Sequence, residues 1–322
     1  MKENQFLPPL WLKNPHLQTI LPRYLVKFTP NYQRKLLKDS LDESDVAFDF
    51  LPMDDKRGED GRLTTPIVVL FHGMEGSSQS HYAKTLAKNV QAAGFHFVVA
   101  HFRSCGGVAV SGRVFYNAGD TAEVHHYLTN LNKEHQTIYA IGVSLGGNAL
   151  AKYMGEYGHD AICQRAVVVS APVDLASASI AMERLLGKRI YTPYLLNPII
   201  KKALENRLTD AEITALKAAK RMGDFDNVFT APRHGFHSKN DYYRQASALP
   251  YLRSINKPTL IITAKDDPFL GVTAEAGDVS EDVRLLDTAY GGHIGFVGYD
   301  YATRTFDLDF VANQALRFFG EG

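Results

Sequence analysis

The chain has 322 residues, 45% of them hydrophobic, with 35 Lys plus Arg against 35 Asp plus Glu. That length and apolar content can bury a large core, which excludes disorder as an overall reading and fits one large domain or a domain carrying an insertion. The balanced charge excludes a general attraction to phosphate backbones or anionic membranes, so no nucleic-acid partner is expected.

Two cysteines, Cys105 and Cys163, are too few for a disulfide-stapled secreted scaffold and fit a reducing compartment. The opening FLPPLWL is short, broken by prolines and followed at once by KNPH, so it does not read as an export signal. No apolar run is long enough to cross a bilayer. The expectation is a cytoplasmic protein without a transmembrane segment. Peripheral membrane contact through an amphipathic segment stays open, and no pattern specifies an oligomeric state.

In chain order, VAFDFLPM (46–53) alternates like an edge strand and DDKRGEDG (54–61) is a charged turn. PIVVLFHG (66–73) is a β-branched run ending in glycine, suited to a strand buried on both faces. YAKTLAKNVQAAG (82–94) has helical spacing and FHFVVAHF (95–102) returns to strand character. A helix over 120–134, a strand over 137–144, a helix over 144–157 and a strand over 165–172 continue the alternation. This rhythm predicts an α/β fold with a mostly parallel central sheet flanked by helices, its functional loops gathered at the strands' C-terminal edge.

The rhythm breaks between 173 and 240, where apolar stretches such as LLGKR and YTPYLLNPII precede TDAEITALKAAKRM, and Thr209 with Glu212 fits a helix capping box. The expected division is residues 1–172 as an N-terminal arm and first part of the core, 173–240 as a mainly helical cap insertion, and 241–322 as the rest of the core. An ordinary helical layer is the alternative for the middle part. PTLIITAKDDP (258–268) and DVRLLDTAYGGH (282–293) restore the strand rhythm, and ATRTFDLDFVANQALRFFG ends the chain with helical apolar spacing.

GVSLG (142–146) is a G-x-S-x-G match at a strand-to-helix junction, where small glycines let the chain turn closely around Ser144. A serine hydroxyl is a weak nucleophile and needs an imidazole base oriented by a carboxylate. Asp267 follows the strand-like TLIITA and is the preferred acid, with its neighbour Asp266 as the rival. His293, in YGGHIGF, is the preferred base, and Ser144, Asp267, His293 is the serine–acid–histidine order of an α/β-hydrolase. The backbone N–H groups of Met74 and Leu145 are the candidates for an oxyanion hole. His101, His125 and His126 read as structural, as does Cys105. No H-E-x-x-H or clustered C-x-x-C run calls for a metal, and neither a P-loop nor G-x-G-x-x-G occurs, so no cofactor is expected.

NPHLQT (14–19), HGMEGSS (72–78), HFRSCGG (101–107), GVSLGGN (142–148), AKDDPF (264–269) and GGHIGF (291–296) together resemble the YheT-like esterase group of α/β-hydrolases, also called the AB-hydrolase 4 group. The match spans nearly the whole chain. The resemblance implies a serine hydrolase of acyl esters, including medium-chain lipid-related esters, with Ser144 as nucleophile, Asp267 as acid, His293 as base and Met74 and Leu145 at the oxyanion. It also implies a cytosolic protein, as for many bacterial members, although relatives elsewhere are membrane-associated. Ser104 and Asn117 depart from the group's common glycine and histidine, which touches loop geometry or substrate shape more than chemistry. The expected partner is a small acyl ester. Thioester hydrolysis, acyl transfer to an alcohol with the same three residues, and noncatalytic acyl-lipid binding remain as alternatives.

Overall fold

The computed structural model describes residues 6–54, 56–110, 112–184 and 186–321. Asp55 of the charged turn and Leu185 of LLGKR lie outside the described residues.

The continuous apolar runs form strands that are buried on both faces. They are β3 (Ile67–Phe71), β4 (His96–Ala100), β5 (Ile138–Val143), β6 (Arg165–Val169) and β7 (Thr259–Ala264), joined by β8 (Val283–Thr288). With β1 (Gln33–Lys38) and β2 (Asp45–Leu51) they make an eight-stranded sheet of order β1-β2-β4-β3-β5-β6-β7-β8. Pairing is parallel from β4 across to β8, and antiparallel where β2 meets β4 and β1 meets β2.

VAFDFLPM is therefore not at the edge. β1 pairs along the outer side of β2, from Gln33 opposite Phe50 to Lys38 opposite Asp45. Its sequence QRKLLK is mostly solvent-facing and has no apolar alternation to announce a strand. The end of the chain differs as well: Gly298–Asp300 (β9) and Thr305–Asp307 (β10) form a small hairpin, and the last helix runs only from Phe310 to Phe319. Thr305 and Phe306 are β-branched and aromatic, which suits a strand better than a helix start.

Side chains alternate across the sheet into two cores. Ile67, Val69 and Phe71 of β3 point to the face covered by α4 (Thr121–Asn132) and α5 (Leu145–Tyr157), while Val68 and Leu70 point to the other. That second face is covered by α3 (His81–Ala92) and the Phe310–Phe319 helix. Each fully buried Val, Leu or Ile contributes about 1.5–3 kcal/mol relative to exposure, so the double-faced strands set the frame.

Before the sheet come two short helices, α1 (Pro15–Ile20) and α2 (Pro22–Leu25). Asn14 caps α1 by accepting from the His16 and Leu17 N–H groups, with Pro15 at the first helical position. Between β6 and β7 the chain is helical: α6 (Leu175–Ala181), α7 (Thr192–Leu204), α8 (Asp210–Ala218), α9 (Met222–Phe225), α10 (Ala231–Arg233) and α11 (Lys239–Ala246). Thr209 and Glu212 form the expected capping box at the start of α8. Leu196, Ile199, Leu216, Phe225 and Tyr242 of this region share the core of α4 and α5.

One buried side chain ties these parts together. Asn148, on the first turn of α5, donates to the carbonyls of Ala118 (2.7 Å) and Ala246 (2.8 Å) and accepts from the Ala248 N–H (2.9 Å). Asn148→Ala would strand three buried backbone groups at about 1–3 kcal/mol each. A loss of about 3 kcal/mol or more in urea unfolding is expected for this variant, and an unchanged midpoint would contradict it.

Candidate active site

Ser144 stands between β5 and α5 with φ 53° and ψ −121°, a backbone conformation that costs an L-residue about 1–3 kcal/mol. The turn needs small neighbours. A Cβ at Gly142 would lie 2.6 Å from the Gly146 carbonyl oxygen, and one at Gly146 would run into the Phe71 carbonyl and lie 2.5 Å from that of His72. The two glycines let α5 start directly against the end of β3. The Ser144 N–H donates to the Val169 carbonyl at 2.9 Å, tying the turn to the neighbouring strand.

His293 Nε2 lies 3.0 Å from Ser144 Oγ, and His293 Nδ1 lies 2.9 and 3.1 Å from the two carboxylate oxygens of Asp267. A proton on Nδ1, facing the carboxylate, leaves Nε2 to accept from the serine hydroxyl. Asp267 also accepts from the Phe269 N–H at 2.8 Å, and the Phe269 ring stacks on the imidazole with centroids 4.2 Å apart. Asp266 points elsewhere, accepting from the Gly292 N–H at 2.9 Å, and burial raises the pKa of its carboxyl. The structure thus brings Ser144, His293 and Asp267 into one hydrogen-bonded line and leaves Asp266 beneath the histidine loop.

Residues 66–298 match the family model described as the alpha/beta hydrolase fold. The protein named "Putative esterase YheT" of Escherichia coli (strain K12) is 39% identical over 91% of this chain and 87% of its own length. The chain belongs to the α/β-hydrolase fold family, in its YheT-like group. Medium-chain fatty acid ethyl ester synthase/esterase 2 of Saccharomyces cerevisiae is 28% identical over 73% of this chain and 59% of that protein. The esterase Pf2001 of Pyrococcus furiosus shares the fold, with a TM-score of 0.52 at 15% identity, covering 84% of this chain and 86% of that one.

In this α/β-hydrolase Ser144 and His293 open onto a cavity of about 600 Å³ walled mainly by apolar side chains, among them Leu145, Leu175, Met182, Tyr191 and Phe269. Met74 lines it too, on the loop after β3, and a Cβ at Gly73 would come within 3.1 Å of Ser144 Cβ. Leu145 opens α5, so its N–H is one of the helix-terminal donors that has no partner within the helix.

Two buried histidines hold the Met74 loop. The Phe102 N–H donates to His72 Nε2 (3.2 Å) and the Ser78 N–H to His101 Nε2 (3.1 Å), while the two Nδ1 atoms face the carbonyls of Gly73 (2.8 Å) and Ala47 (2.9 Å). Both rings must be neutral to accept in this way. Burial accordingly lowers both pKa values, that of His72 to about 3. On the cavity side, Lys202 of α7 pairs with Glu75 at 2.7 Å and donates to the Ser104 carbonyl at 2.8 Å.

Of the two departures from the group pattern, Ser104 takes φ 65°, a value at which glycine is less costly, and Asn117 meets His234 at 3.1 Å and accepts from the Gly119 N–H at 2.8 Å. Both therefore bear on loop geometry. The residues that sequence reasoning missed lie on α1: the Thr19 hydroxyl accepts from the His293 N–H at 2.9 Å, and Thr19 lines the cavity. NPHLQT marked a resemblance without revealing that contact. Among the described residues no group of three or more His, Cys, Asp or Glu is arranged to hold a metal, and no helix is long and apolar enough to cross a membrane.

Two outcomes are expected. Cys105 and Cys163 are free, buried and pushed up to about 12 by desolvation, so the native protein should not react with a disulfide reagent at pH 8, whereas the denatured protein should release both thiols. His72 stays neutral in the folded state down to about pH 3, and His81 down to about pH 4, both through burial. Since the unfolded chain takes up those protons near the ordinary histidine pKa of about 6.5, stability falls as pH drops below it. Thermal unfolding midpoints should therefore decline steadily from pH 7 to pH 4, and a flat profile would contradict this.

Proposed function

We propose that the protein is a serine-dependent carboxylic ester hydrolase that cleaves acyl esters with a short to medium apolar chain through an acyl-enzyme. The observation that carries this is the line from Ser144 Oγ to His293 Nε2 (3.0 Å) and from His293 Nδ1 to Asp267 (2.9 Å), opening onto an apolar cavity. Family membership and the names of the relatives support ester hydrolysis.

In the proposed cycle His293 Nε2 takes the Ser144 proton as Oγ attacks the ester carbonyl carbon, and the carbonyl π electrons move onto oxygen. Asp267 keeps the imidazole in the Nδ1–H tautomer and stabilises the imidazolium. The Met74 and Leu145 N–H groups receive the oxyanion, and one such donor is worth about 2.7–4 kcal/mol. Collapse of the intermediate expels the alcohol, which leaves with the proton from His293. Water, deprotonated by the same nitrogen, then attacks the acyl carbonyl, releases the carboxylic acid and returns the proton to Ser144.

Residues 173–240 act in this reading as a cap over the 1–172 and 241–322 parts of the core, and α6 and α7 supply apolar wall for the acyl chain. The cavity volume of about 600 Å³ suits a small ligand. The two buried free thiols fit a reducing, cytoplasmic setting. A second reading, acyl transfer to an alcohol, is favoured by the yeast relative named as both synthase and esterase. It shares the acyl-enzyme and differs only in whether water or alcohol takes the acyl group.

The test is hydrolysis of p-nitrophenyl esters from acetate to laurate, with and without a primary alcohol, together with a fluorophosphonate probe. Wild-type turnover and labelling of Ser144 are expected, with Ser144→Ala lowering kcat by about 10³-fold or more while remaining folded. A wild type that binds these esters without turnover, or an alanine variant that keeps full activity, would sink the reading. Alcohol-dependent ester formation would favour the transfer reading.

A further inference from the structure

His293 sits on a loop whose backbone is strained: Ile294 has φ 62° and Phe296 has φ 44°, left-handed values that non-glycine residues seldom adopt. For the β-branched Ile294 this conformation is especially unfavourable and persists only where surrounding contacts over-determine it. The Phe296 N–H donates to the Gly291 carbonyl within the loop (3.0 Å), and the other contacts come from outside it. The Gly292 N–H donates to Asp266 (2.9 Å), that of His293 to the Thr19 hydroxyl (2.9 Å), that of Ile294 to the Ser170 hydroxyl (3.3 Å) and that of Val297 to the Gln18 side-chain carbonyl (2.6 Å).

Two of the four acceptors, including the one on His293 itself, belong to the short N-terminal helix α1. Gln18 is fully buried and also donates to the Val297 and Leu12 carbonyls, each at 2.9 Å, so its amide closes both ends of a hydrogen-bonded clasp around Val297. The approach is close enough to demand glycine. A Cβ at Gly292 would lie 2.5 Å from the Pro15 carbonyl oxygen and 2.8 Å from Thr19 Oγ1, and one at Gly295 would run into the Gln18 carbonyl. From the other side of α1, His16 Nδ1 lies 2.9 Å from the Tyr191 hydroxyl, and Tyr191 packs on Phe269, which stacks on His293.

We infer that the NPHLQT helix is the positioning element for His293, with Thr19 setting the height of the imidazole over Ser144 and Gln18 anchoring the loop downstream. The inference rests on the reading of His293 as general base. Neither Thr19 nor Gln18 touches Ser144 or Asp267 through a hydrogen bond of its own, so each acts through the histidine loop. Loss of the Thr19 acceptor frees the loop to relax at the neighbouring Ile294 toward ordinary dihedrals, carrying His293 with it, and the Nε2 to Oγ distance then opens. A displacement of this kind weakens proton transfer while leaving the apolar cavity, and with it ester binding, in place.

Thr19→Val keeps the side-chain shape and removes the acceptor, whereas Thr19→Ser keeps the acceptor and removes the methyl group. With a p-nitrophenyl ester as substrate, the valine variant should lower kcat by about tenfold at unchanged KM and slow fluorophosphonate labelling of Ser144 to a similar extent. The serine variant should recover most of both rates. Thr19→Ala replaces the valine variant in the same comparison if the latter fails to fold. An active wild type whose valine variant keeps kcat and labelling rate, or loses only KM, overturns this inference and leaves the ester-hydrolase reading standing. A wild type with neither turnover nor labelling overturns both.

Discussion

At Ser144 the backbone passes from β5 into α5 through a single residue of positive φ, and it can do so because Gly142 and Gly146 present no Cβ to the chain around them. The reversal brings the helix start against the end of β3, the strand at which the sheet order turns back on itself between β4 and β5. At such a switch point the loops after two adjacent strands diverge to opposite faces and leave a crevice. The loop carrying Met74 and the turn carrying Ser144 face each other across it, and the cavity opens there.

The partners of Ser144 are held by a different means. Asp267 sits one turn beyond β7, fixed by the Phe269 N–H, and its position follows from the sheet. His293 is several residues past β8 on a loop with unfavourable dihedrals, and the sheet alone does not determine where that loop lies. Side chains from α1, from the end of β6 and from the turn after β7 take up its N–H groups. The buried environment makes each of these bonds count, since a backbone donor left without a partner costs far more there than in water.

The helical segment between β6 and β7 lines part of the cavity and is tied to the neighbouring loops. Lys202 reaches Glu75 beside Met74, and Tyr191 links α1 to the Phe269 ring beneath the histidine. Its large buried residues continue the core of α4 and α5, so it is packed on that core. Neutral His72 and His101 supply the remaining support of the Met74 loop, which makes that support sensitive to acid.

Much of the architecture was legible in the residues. Runs such as IVVLF and TLIITA read as doubly buried strands because nothing polar interrupts them, and GVSLG, AKDDPF and GGHIGF supplied Ser144, the acid pair and His293 in chain order. QRKLLK gave no signal, since an exposed edge strand pairs through its backbone and needs no apolar alternation. Asp266 and Asp267 are adjacent members of one turn, identical in chemistry. Only the three-dimensional path of that turn aims one at the imidazole and the other at Gly292. The same holds for Gln18, whose partner Val297 is 279 residues away. Hydrogen bonds between distant backbone and side-chain groups leave no periodicity in the chain, so the sequence by itself determined the frame and the residue types of the candidate site, and the tertiary structure decided which neighbours hold them in line.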